Sequence, residues 1–287
     1  MAIGSSRVPD LASLFANIYE DAVFAVREQS MATRLVRVFT NGRGDQTRDN
    51  PEYASITASS VAETEDFSNP TRFSKASLAT LTPGEIMAQV LLTDRRIDTD
   101  PDNARADAST ELGAALATKI DTDILGNASS LTGGTIGGLG SAATWGQFYA
   151  SLSILRGSNV PPPYVAVYHP YAYHAMGTAV AADAGVSQTN SPWLQDAVMQ
   201  NFWMGRVAQV DIFISSNAQT SGGTAAYNMM FSRDAVAFDL RRDIRQEPQR
   251  DASARAWELN VTSLYAHGVW RPAFGVQILT AANTPTG

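Results

Sequence analysis

The chain has 287 residues, 44% of them apolar and 17% charged, with a formal net charge of −7. That balance belongs to a globular protein with ample core, and the acidic excess argues against a surface built to grip nucleic acid, which needs clustered Lys and Arg. The absence of cysteine excludes disulfides, thiolate catalysis and cysteine-rich metal sites.

Lys75 and Lys119 are the only lysines, so nearly all positive charge is arginine, the better residue for planar ion pairs at interfaces. The N-terminus lacks the basic-then-apolar order of a signal peptide, and no apolar run is long enough to span a bilayer. The expectation is a protein made and folded in a cytoplasm, with no membrane span.

Residues 10–29 place Leu11, Leu14, Phe15, Ile18, Ala22 and Val26 on one helical stripe behind an Asp10 cap. From 34 to 97 the pattern becomes extended. "RLVRVFTN" reads as a strand, "NGRGDQTRDNPEY" as a polar, turn-rich stretch, and "EIMAQVLLTD" as a more apolar strand. Large apolar residues are few across 42–80, so this excursion is either a loop or an arm that packs on another subunit.

Residues 100–125 form the strongest predicted helix. Pro101 suits its first turn, and Ala108, Leu112, Ala115, Leu116, Ile120 and Ile124 make a narrow apolar face. Some 25 residues span roughly 37 Å, the dimension of a strut. The Gly- and Ser-rich stretch 126–144 reads as a joint. Beyond it, helices 145–156, Pro170 to about Asp183, and 192–201 alternate with strands "YVAVYH" and "VDIFIS", an α/β layer. From 225 onward the chain is extended again, through "AAYNMMFS", "AVAFDLRRDIRQE", "ARAWELNVTSLYAHG" and "FGVQILTA".

Enzymatic motifs are scarce. His169 and His174 are five apart, about 140° around a helix, so they do not share a face for chelation. The simpler reading has His169 ending a strand and Pro170 starting a helix. Asp98, Asp100 and Asp102 open like a calcium loop, but Asn103 and Ser109 stand where glycine and glutamate belong. The glycines of 133–140 match neither a dinucleotide fingerprint nor a P-loop.

The stretch "DLRRDIRQE" carries more information. As a strand it would put Asp239, Arg241, Asp243, Arg245 and Glu247 on one face with alternating sign, about 6.8 Å apart. Two readings stay open: a solvated surface strand, or a ladder that meets complementary charges on another subunit.

The order of these parts resembles the major capsid proteins of tailed bacteriophages, with the Hong Kong 97-like fold. The resemblance is carried by "TPGEIMAQVLLTDRRIDTDPDNARADASTELGAALATKIDTDILGN", "YVAVYHPYAYHAM", "GRVAQVDIFISSN" and the closing "FSRDAVAFDLRRDIRQEPQRDASARAWELNVTSLYAHGVWRPAFGVQIL". It covers about 10–282. It implies an α+β fold with an N-terminal arm (1–36), an extension-loop β-hairpin (37–90), a peripheral domain (91–141 and 232–268) with spine helix 100–125, and an axial domain (142–231 and 269–287).

The function implied is a non-enzymatic, cofactor-free coat protein. Copies would join as pentamers and hexamers into an icosahedral head that encloses double-stranded DNA without sequence-specific binding. Portal, scaffolding and cement proteins are the further partners implied, and the location is the virion, after assembly in the host cytoplasm. Asp239, Arg241, Asp243, Arg245, Glu247, Arg43, Arg48 and Lys75 are the candidate inter-subunit contacts. Some relatives cross-link an extension-loop lysine to a neighbour's asparagine; Lys75 is the only lysine in the loop, without an identifiable partner set, so non-covalent hooking is expected. The alternatives are an encapsulin-type nanocompartment shell and, third, a soluble metal-dependent enzyme using His169 and His174.

Overall fold

A computed structural model describes residues 30–285 other than 43, 54–55, 57, 59, 61–62, 64–74, 100 and 183–202. The expected helices at 10–29 and 192–201 lie outside the described residues, as does Arg43.

The chain enters through a short helix α1 (Ala32–Leu35) and strand β1 (Arg37–Phe39). The sequence pattern predicts one continuous strand here. A helical turn forms instead because Met31, Ala32, Leu35 and Val36 are buried in the main core, and helical spacing turns them to one side. A two-stranded hairpin follows, β2 (Arg48–Tyr53) against β3 (Lys75–Leu81). It is narrower than 37–90, because β4 (Gly84–Thr93) leaves it and joins another sheet.

Two helices come next, α2 (Asp94–Thr99) and the 25-residue α3 (Pro101–Leu125). Ala108, Leu112, Leu116, Ile120 and Ile124 are buried as their spacing predicts, while Ala115 is exposed. Asn127 closes the helix by donating its Nδ2 to the carbonyls of Asp123 (2.9 Å) and Ile124 (3.0 Å), which satisfies two orphan acceptors.

The α3 stripe packs under a four-stranded sheet of order β1-β11-β12-β4, where β11 is Val236–Asp251 and β12 is Ala256–Val269. Leu259, Val261, Phe238 and Tyr265 meet Leu112, Leu116 and Ile120 in one cluster. The Tyr265 hydroxyl donates to Asp123 Oδ2 at 2.7 Å, a polar clamp from sheet to helix.

The second sheet has strand order β5-β13-β10-β6-β8-β7, with β9 paired to β10. These are β5 (Thr135–Gly137), β6 (Tyr164–Tyr168), β7 (Trp203–Val207), β8 (Val210–Ile214), β9 (Thr220–Ser221), β10 (Ala225–Ser232) and β13 (Gly275–Ala281). One face holds Ala166, Ile212, Met230, Val276 and Ile278 against α4 (Trp145–Gly157) and α5 (Pro170–Ala182); the other turns Val165, Val167, Met229 and Phe231 toward the end of α3. Burial on both faces explains the unbroken apolar run of β6. Helix α4 starts with a capping box, Thr144 and Gln147 each bonding the other's backbone.

The Gly-rich stretch 126–144 is more built than a joint. Gly133 donates its N–H to the Gly275 carbonyl at 3.0 Å, and an added Cβ would stand 2.6 Å from the Ala273 and Gly275 oxygens. Glycine is needed here for backbone-on-backbone contact.

Candidate functional site at the hairpin root

The hairpin is fixed to the four-stranded sheet at one end. Its first support is backbone pairing: β1 runs parallel to β11, with Phe39 opposite Asp239. The second is aromatic. Phe39 lies 5.1 Å from Trp270, centroid to centroid, and the Arg37 and Arg48 guanidinium carbons stand 5.0 and 4.5 Å from its ring centre. Cations over an aromatic face are attracted by its quadrupole.

The third support is a charge cluster. Asp239 is fully buried, and its Oδ2 accepts from Arg48 Nε at 2.6 Å and from Arg241 Nη2 at 2.8 Å. The Arg241 side chain is only 3% exposed, and that of Arg48 21%. One carboxylate therefore faces two guanidiniums in a largely dry site. Asp239 Oδ1 has no hydrogen-bond partner among the described residues, so the attachment runs through Oδ2 alone. Arg48 also donates from Nη2 to Asn41 Oδ1 at 2.7 Å, and Gly42 leaves the space that the Arg241 guanidinium fills.

Hydrogen bonds and packing complete the root. Buried Asn50 donates from Nδ2 to the Trp270 carbonyl at 2.6 Å, and Leu81 packs with Ala237, Ala266 and Trp270. Beyond the root large apolar side chains are exposed. Tyr53 and Ile56 are 52% and 66% exposed, and a shallow groove of about 220 Å³ runs past Pro51, Tyr53, Leu78 and Arg271. A two-stranded hairpin is marginal in water by itself. This one is held at its base by the contacts above, and Tyr53, Ile56 and Lys75 beyond it are exposed.

The predicted ladder is corrected by this geometry. Two register shifts, between Leu240 and Arg242 and between Arg242 and Arg245, break the alternation in β11. Each bulge inserts a residue and flips the alternation, so the two together restore it: Asp239, Arg242, Arg245 and Glu247 stand opposite Ala266, Leu264, Thr262 and Asn260 on one face, and Arg241 falls at the first bulge. Asp239 and Arg241 lie at the hairpin root of their own chain, with Arg48, while Asp243, Arg245 and Glu247, farther along the strand, are exposed. Arg245 pairs with Glu247 at 3.0 Å. Lys75 is exposed on the hairpin opposite Tyr53. Trp270, Asn50 and Gly42 give no charge or motif signal in the sequence; only "DNPEY" hints at a structured turn.

The histidines fall in separate places. His169 follows β6, and its Nδ1 accepts from the Tyr171 N–H at 3.3 Å, the role of a helix cap. Its backbone N–H is held by the buried Asn228 Oδ1 at 2.8 Å, and burial lowers its pKa. His174 is exposed on α5, and His267 lies on β12 beside Asn127 and Asp123. Among the described residues no three His, Asp or Glu side chains come together as a metal-binding group. No helix there is long and apolar enough to cross a membrane.

The fold as a whole resembles solved structures. The model matches the acid-stable capsid of Helicobacter pylori bacteriophage KHP30 with a TM-score of 0.64 and 11% identity, over 88% of this chain and 90% of that one. It matches the capsid asymmetric unit of cyanophage Pam1 at 0.63 and 11%, over 87% and 89%. The chain has the fold of phage capsid proteins. The Mycobacterium phage Che8 structure shares this capsid fold at a TM-score of 0.60 and 17% identity, over 87% and 90%. No family model and no curated protein matches the sequence. The capsid fold thus persists where sequence similarity has faded, because it rests on burial pattern and strand pairing more than on particular side chains.

Proposed function

We propose that the chain is a major capsid protein, whose copies assemble into the icosahedral head of a tailed phage around double-stranded DNA. The observation that carries this reading is the capsid fold over nearly nine-tenths of the chain, joined to a hairpin anchored at its root and exposed beyond it. In this reading β2–β3 is the extension loop, α3 the spine of a peripheral domain with β4, β11 and β12, and the second sheet with α4 and α5 an axial domain. Contacts that repeat around a closing axis make rings, and rings close into a shell.

The role is mechanical, with no reaction assigned. Exposed Asp243, Lys75 and the Arg245–Glu247 pair are the charges that set register against neighbours, while Asp239, Arg241 and Arg48 hold the hairpin at the angle a neighbour meets. The net charge of −7 suits a wall that encloses DNA without gripping it. The virion is the location, with assembly in the host cytoplasm and portal, scaffolding and cement proteins as partners. The solved neighbours named above are phage structures, which favours a phage head over a nanocompartment.

Negative-stain microscopy of the purified protein tests this. Closed shells are expected. Monomers and small oligomers under every condition would count against the reading, and shells filled with protein cargo would favour the nanocompartment.

A further inference from the structure

We infer that β4 pairs edge to edge, antiparallel, with β4 of a second copy of this chain. The inference takes its biological setting from the shell reading; the pairing itself is read from the strand.

Strand β4 ends the four-stranded sheet. One edge pairs with β12 over ten residue pairs, Gly84–Tyr265 through Thr93–Ala256, without a register shift. Among the described residues no strand pairs with its other edge. Proteins blunt such edges with lysine, proline, bulges or inward charges, and "GEIMAQVLLT" has none of the first three. Its single charge, Glu85, is already paired with Arg242.

The strand is self-complementary about Gln89. An antiparallel pair centred there sets Met87 opposite Leu91 of the second copy, and Glu85 opposite its Thr93. On the inner face Ile86 meets Leu92 and Ala88 meets Val90. Met87 and Leu91 are 62% and 52% exposed, large values for apolar side chains in mid-strand. Ile86, Ala88 and Val90 pack on the main core yet are only half-buried. A second β4 would extend the apolar surface over both faces. Two copies that offer the same edge keep their inner faces on one side only when the strands run antiparallel, since a parallel pair would turn one copy over and set its inner face beside the other's outer face. Edge geometry therefore selects the antiparallel arrangement.

The contact spans about 34 Å of strand. A strip that narrow falls short of the roughly 1,200 Å² typical of a stable interface that stands alone. It works as one weak contact among many, strengthened when other contacts hold the copies together.

The cysteine-free sequence supplies a clean probe. Gln89→Cys puts one thiol on the two-fold axis, and Thr93→Cys puts its two thiols about 27 Å apart. Mild oxidation of the assembled protein and of concentrated solution is followed on non-reducing gels. Q89C is expected to give mainly disulfide-linked dimer and T93C at least tenfold less. Adding Met87→Lys to Q89C should cut the dimer at least tenfold. Q89C that stays monomeric in both preparations overturns the pairing, whether or not shells form. Equal cross-linking of Q89C and T93C also overturns it. Cross-linked Q89C without shells in any preparation supports the pairing and counts against the shell reading alone.

Discussion

Asp239→Ala tests whether the hairpin root is held by charge. The substitution removes the carboxylate that both guanidiniums share, at a site where the Arg241 side chain is only 3% exposed. Breaking a buried ion pair from one side costs about 3–5 kcal/mol, because the remaining charge stays desolvated. Arg48→Ala should cost less, about 1.5–2 kcal/mol, the lower part of the range for a charge-assisted hydrogen bond, since Arg48 is 21% exposed and Asp239 keeps Arg241. The double variant should cost less than the sum of the two, by ~1–2 kcal/mol, because Arg48 has no carboxylate to lose once Asp239 is gone. Urea unfolding gives the totals, and amide hydrogen exchange locates them. In D239A the protection lost should concentrate in β1, β2 and β3, while β6 keeps its own. A D239A loss under about 1 kcal/mol, with hairpin amides exchanging as in the parent, would refute the buried-charge account.

Three further outcomes follow from named contacts. Asp121 is buried on α3 and accepts from the Ser30 hydroxyl (2.9 Å), the Met31 N–H (3.2 Å) and the Ala32 N–H (3.0 Å); burial raises its pKa above 3.8 despite those donors. The folded state then binds the proton more tightly, so this stabilising contribution is full below the unfolded value and is lost as pH rises through the folded one. Asp121→Asn should lack that downward slope, measured by urea titrations between pH 3.5 and 7. Gly133→Ala should destabilise by about 1–3 kcal/mol, since its Cβ meets backbone oxygens that cannot rotate away, and thermal unfolding would read it. The pair His169→Ala and His174→Ala should leave shells intact and metal content unchanged, measured by microscopy and elemental analysis; shells lost together with bound metal would revive the metalloenzyme reading.

Local chemistry was legible where neighbours in sequence settle it. The α3 stripe and the strand "YVAVYH" depend on residues within a turn or a strand, so local pattern placed them. Strand β2 was not legible, because Pro51 cannot donate to a ladder and argues against a strand. The structure accommodates it with a register shift between Asn50 and Pro51. The ladder in "DLRRDIRQE" misled for a related reason. Period-two alternation holds only while the ladder is regular, and two bulges set Arg242 in place of Arg241 on the face of Asp239, Arg245 and Glu247. In the joint, glycine read as freedom turned out to be close approach.

The sequence by itself determined the long helix α3 with most of its apolar face, the strand-to-helix step at His169 and Pro170, and the poverty of catalytic motifs, all of which follow from side-chain type and short spacing. The tertiary structure decided which charges are buried and which are free. Asp239 meets Arg48 across 191 positions, and whether a carboxylate faces water or two guanidiniums depends on a pairing that no local pattern encodes. The root of the hairpin is therefore a tertiary feature, built from residues that look like an ordinary charged strand until the fold brings Arg48 and Trp270 to them.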